Sequence, residues 1–140
     1  MENDIISAIE KQLNEGKGFE INFKGEIPNI SDIKGISKIS KEEIIDNIKG
    51  IKKIKKKKIL EEHKNFIIDI SKVLIKNKIP FKVTIFPNEV ILRFDLDHYI
   101  HLYPDKFVII GFNSLNEFPI SLIKSYFPKD KEVKILHQVR

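Results

Sequence analysis

Seven lysines fall within ten residues, Lys49, Lys52, Lys53, Lys55, Lys56, Lys57 and Lys58, with no acid among them. The chain carries a formal charge of +5; residues 51–60 contribute +6, so everything else sums to −1. Such a cluster attracts phosphate by releasing condensed counterions, and lysine, a point charge, reads charge more than sequence. DNA or RNA is the polyanion this points to. The plainer reading is a solvated helix end in a Lys-rich chain, since only Arg93 and Arg140 are arginine. No aromatic residue is interleaved with these lysines, so the segment has no stacking platform of its own. Tyr99, His101 and Tyr103 supply one if they lie on an uncovered strand face, because alternate residues of a strand share a face. Tyr99 and Tyr103 therefore join the lysines as nucleic-acid-binding candidates, against the reading of a core or wet-edge stripe.

Other polar residues suggest weaker chemistry. Asp95 and Asp97 with His98 or His101 could hold a divalent ion at a strand end, but acids at a reversal are ordinary turn formers. His98 and His101 are three apart, which on a strand sends them to opposite faces. Pro104-Asp105 followed by Glu132-Val133-Lys134 matches the Pro-Asp and Glu-x-Lys pattern of restriction-type nucleases. That chemistry needs both carboxylates on adjoining strand ends around a metal, and here 26 residues and a predicted helix intervene. No metal or catalytic residue is therefore assigned, and no cofactor motif is present: no Walker loop, dinucleotide fingerprint or Gly-x-Ser-x-Gly occurs. His63 falls on the inner stripe of a predicted helix and reads as a core histidine.

Composition narrows the class. With 140 residues the chain fits one domain with one core. Cysteine is absent, which removes disulfides, thiolate zinc sites and a thiol nucleophile. Glu2, Asp4 and Glu10 occupy the region where a signal peptide would be positive, and no run of 18 apolar residues occurs. A soluble cytoplasmic protein with no membrane partner is expected. The Lys and Ile enrichment also suits a heat-adapted source.

The elements that must position these groups centre on residues 81–112. Four runs rich in Val, Ile, Phe and Tyr, about 81–86, 89–95, 98–103 and 106–112, are separated by breaks too short for a parallel crossover. Phe86-Pro87-Asn88-Glu89 and Tyr103-Pro104-Asp105-Lys106 both place proline where a turn wants its fixed φ. An α+β domain with a four- or five-stranded antiparallel meander follows, the fifth strand being Phe19, Ile21 and Phe23 on an unspecified edge. Strand 106–112 is apolar on both faces and reads as covered on both sides. Helices are predicted over about 4–15, 41–49, 58–77 and 119–127, capped respectively by Asn3, by the Ser40–Glu43 capping box, and by Pro119 at the start of the last. Lys52, Lys55 and Lys56 would project onto the isoleucine stripe of a continuous 41–77 helix, so a break or lysine-rich projection is predicted at about 49–58. Residues 24–40, with Ile27, Ile30, Ile33, Ile36 and Ile39 three apart, suit a 3₁₀ turn or an extended three-fold segment. Val133 to Leu136 is read as a last strand or a docked tail.

A helix leading into a four-strand meander, with Tyr103-Pro104 at the third turn and a helix afterwards, resembles ubiquitin-conjugating enzymes and RWD-type domains over about residues 58–127. The second proline of that pattern is replaced by Val108, and without cysteine the resemblance implies a protein-interaction module. The expected function is thus a non-catalytic nucleic-acid-binding or accessory protein, with a protein-interaction or assembly module second and a small metal-dependent nuclease third. In the second reading the partner is another protein, including a second copy in a homodimer.

Overall fold

The computed structural model describes residues 2–36 and 59–136. The predicted helix at 41–49, the predicted break at 49–58 and all seven lysines lie outside these residues. The described chain is α+β, with helices on one face of a mostly antiparallel sheet.

Helix α1 (Glu2–Asn14) starts earlier than a cap at Asn3 would allow and buries Ile5, Ile9 and Leu13 on one stripe. It stops as the glycine requires. Gly16 takes φ of 69°, and the bonds Lys17 N–H to Gln12 O and Gly16 N–H to Leu13 O close the turn. Helix α2 (Glu61–Lys76) ends the same way, but with Lys78 in the left-handed position (φ 54°). Glu61 and Glu62 in its first turn and Lys76 in its last favour the helix dipole. Phe66, Ile67, Ile70, Leu74 and Ile75 form its buried stripe.

Seven strands among the described residues form one sheet: β1 (Gly18–Ile21), β2 (Ile33–Ile36), β3 (Phe81–Ile85), β4 (Val90–Arg93), β5 (Tyr99–Leu102), β6 (Lys106–Ile110) and β7 (Glu132–Leu136), in the order β2-β1-β3-β4-β5-β6-β7. The predicted meander is its centre, with every predicted neighbour antiparallel. The count of four or five strands is corrected to seven. Strand β1 is the predicted fifth, lying between β2 and β3. Residues 30–36 are split between a 3₁₀ turn (Ile30–Asp32), capped by Asn29 and Asp32, and strand β2. The extra far edge is β7, parallel to β6, reached by a connection long enough for the crossover that parallel pairing needs. That connection carries only one helical turn, α3 (Ile120–Ile123), then a second 3₁₀ turn over Lys124–Tyr126, not a helix over 119–127. Pro119 stands before α3 as its N-cap.

Alternation gives the sheet two different faces. One carries Phe19, Ile21, Phe81, Val83, Leu92, Ile100, Phe107 and Ile109 against α1, α2 and α3, and is the core. The other carries Glu20, Lys82, Thr84, Ile91, Arg93, Tyr99, His101, Lys106, Val108 and Ile110, none of them in that core. The expectation that β6 is covered on both sides is met only partly: Val108 is buried, Lys106 and Ile110 are half-buried, and no described helix lies on that side. Gly111 ends β6 with φ of 92°, where a Cβ would collide with the Asp97 carbonyl. The reversal between β4 and β5 is thereby pressed against the end of β6.

Candidate functional site

Cross-strand register orders the second face. One row runs Lys82, Arg93, Tyr99, Ile110, Leu136 across β3 to β7, and the next runs Thr84, Ile91, His101, Val108, Lys134. Along β5, Tyr99, His101 and Tyr103 follow one another, with rings 5.3 Å apart and edge-on for the first pair, and 5.7 Å apart and 7° from parallel for the second. The predicted stripe therefore exists and lies outside the core. Cations sit on it from both ends. The Arg93 guanidinium is 4.7 Å from the Tyr99 ring centre, and the Lys106 ammonium 5.8 Å from that of Tyr103.

Glu89, at the start of the β4 side of the first hairpin, was not singled out by sequence reasoning. Its Oε2 is 3.1 Å from His101 Nδ1. A carboxylate only accepts, so Nδ1 carries the proton and donates it. Burial first, then the charge and hydrogen bond of Glu89, raise the pKa of the Tyr103 phenol. One carboxylate therefore holds two rings of the stripe. The signal was present in the hairpin: with Ile91 opposite His101, Glu89 must lie at the level of Tyr103.

The Tyr103 backbone is held from the core side. His63, 2% exposed, donates from Nε2 to the Tyr103 carbonyl at 3.0 Å, as a satisfied core histidine should. A small apolar cavity beside it is walled by Ile59, Leu60, Phe86, Pro87, Val90 and Pro104, with Asn88 and Glu89 at its polar edge. Burial is the main cause that lowers the His63 pKa; the Tyr103 hydrogen bond opposes it, and the charges of Lys131 and Glu62 act in opposite directions. In the unfolded chain the ring has its ordinary pKa near 6.5, so on acidification the unfolded state takes up a proton that the folded state resists. Stability is expected to fall as pH drops below about 6.5, down to the lower folded pKa. Urea unfolding at pH 7.5 and 5.5 checks this. His63→Gln should show a smaller pH difference than the wild type, and equal differences would refute the assignment.

The acidic candidates separate. Asp95 accepts from the Asp97 backbone N–H at 2.8 Å and pairs with His98 Nδ1 at 2.7 Å. This is the geometry of a turn former: burial, the largest single effect, raises the Asp95 pKa, but the His98 hydrogen bonds and charge and the Asp97 backbone N–H together bring it below its ordinary value. His98 packs its ring on buried Phe112 while His101 faces the stripe, so the two share no ligand position. Asp105 and Glu132 come closer than the intervening residues implied. Glu132 stands opposite Lys106 in the parallel pair, so the two strands begin side by side. Among the described residues no group of three or more His, Asp or Glu gathers that could hold a metal.

No described helix is long and apolar enough to cross a membrane. No protein-family model, curated protein or solved structure matches the chain.

Proposed function

We propose that the protein binds single-stranded nucleic acid on the second face of its sheet, with the lysine-rich segment adding charge. The observation that carries this is the stripe Tyr99, His101, Tyr103, flanked by Arg93 and Lys106 on a face no described helix covers. Rings 5.3 and 5.7 Å apart along the strand line up as one aromatic surface for bases, and stacking accepts every base because every base has a π-face. Lys82, Lys106 and Lys134 lie in or beside the same rows and can meet phosphates. Lys49 to Lys58 contribute by charge alone.

Fluorescence anisotropy of labelled single- and double-stranded DNA and RNA at 50 and 200 mM salt tests this. Micromolar or tighter binding of single strands is expected. Its logarithm should fall with log salt by about 0.7 per phosphate neutralised. Changing Lys52, Lys53, Lys55, Lys56, Lys57 and Lys58 to Gln should weaken binding and flatten that slope. Unchanged binding would remove the lysines from the interface.

A protein-interaction role is the second reading. It is favoured by Leu60 and Phe86, apolar and more than two-fifths exposed at the mouth of the cavity beside His63. A partner docking there would be displaced by Phe86→Asp and not by changes at Tyr99.

A further inference from the structure

We propose that this face also cleaves the RNA it holds, without a metal, using His101 as the general base. The inference rests on the binding reading above and adds a reaction to it.

Four features of the stripe converge on that role. His101 lies between two tyrosine rings, where a bound strand would pass. Glu89 holds Nδ1 at 3.1 Å and so fixes the tautomer that leaves Nε2 with its lone pair. Among the described residues Nε2 has no hydrogen-bond partner. The side chain is 19% exposed, sheltered yet reachable from the sheet surface. A carboxylate behind one imidazole nitrogen and a substrate before the other is the arrangement that makes histidine a directed base. Lys106 and Arg93 stand on either side of the ring in the stripe, where cations stabilise charge developing on phosphate oxygens.

RNA is the substrate class because it brings its own nucleophile. Nε2 takes the proton of a 2′-hydroxyl, and the freed oxygen forms a bond to the adjacent phosphorus. The bond from phosphorus to the 5′-oxygen breaks, and that oxygen leaves with a proton from the Lys106 ammonium. The products are a 2′,3′-cyclic phosphate and a 5′-hydroxyl. His101 returns its proton to solvent and Lys106 regains one, so no water, oxidant or metal is consumed. DNA, without the 2′-hydroxyl, binds but cannot react.

The test uses the full chain with a labelled single-stranded RNA, its DNA equivalent and its 2′-O-methyl equivalent, all in EDTA. Cleavage of RNA alone, ending in 2′,3′-cyclic phosphate, is expected. His101→Ala and His101→Gln should reduce the rate about 10²- to 10⁴-fold, the range general-base catalysis supplies. Both should keep the melting temperature, and the rate loss should persist at saturating RNA, whatever affinity for 2′-O-methyl RNA is lost with the stacking of the His101 ring. Glu89→Gln, a change in a positioning residue, should shift the pH–rate profile and not only lower its height. Binding of 2′-O-methyl RNA with no RNA cleavage would overturn this inference and leave the binding reading standing. No binding at all would overturn both. Cleavage undiminished in the His101 variants would also overturn it, as would cleavage seen only in a parallel reaction with Mg²⁺ in place of EDTA.

Discussion

Replacing Tyr99 and Tyr103 together with alanine is expected to weaken single-strand binding between about 30-fold and 10⁴-fold. Stacking of a base on an aromatic ring is worth about 1–3 kcal/mol, and two such platforms are removed. Both side chains are half-buried on the sheet's second face and belong to no core cluster, so the fold should persist. Arg93 and Lys106 would lose the rings they lie over but keep their charge, so the salt dependence should survive while the affinity falls. Anisotropy at fixed salt, with circular dichroism melting as the control, reads this. An affinity within about threefold of the wild type would remove the stripe from the interface.

Phe107→Ala is expected to give the largest loss of stability. Phe107 is fully buried in β6 and touches three rings: Phe66 at 5.0 Å, His63 at 5.9 Å and Phe127 at 6.2 Å. It therefore ties α2 and the 3₁₀ turn after α3 to the strand beside the stripe. Truncating a buried phenylalanine costs about 3–5 kcal/mol, partly transfer and partly cavity. Against a total stability of about 5–15 kcal/mol for a domain, that is a large share. The melting midpoint should drop by roughly 10 °C or more. A change below about 1 kcal/mol in urea unfolding would mean that this core is not packed as described.

The meander was legible because its breaks are short and carry turn chemistry, so antiparallel neighbours were forced. The edges were not. In β2, Lys34 and Gly35 interrupt the alternation, and the three-residue isoleucine spacing pointed instead to a three-fold segment. Ile27 and Ile30 are more than half exposed, so that spacing never marked a buried face. Strand β7 offers only Val133 and Ile135 to the core, too few to fix its partner or direction. The stripe itself was readable from period-two spacing, yet which face the helices cover was not. Val108 and Ile110 gave the second face an apolar look that only the placement of α1 and α2 resolves. Glu89 was hidden for another reason: it is twelve residues from His101, and only hairpin register brings them together.

The most direct measurement is ultraviolet crosslinking of a single-stranded oligonucleotide to the full chain, with the crosslinked residues mapped by mass spectrometry. If the stripe is the binding surface, adducts form at Tyr99 or Tyr103 and fade as salt is raised. Adducts confined to residues of the helical side, or binding with no adduct on β5 at any salt, would contradict that reading.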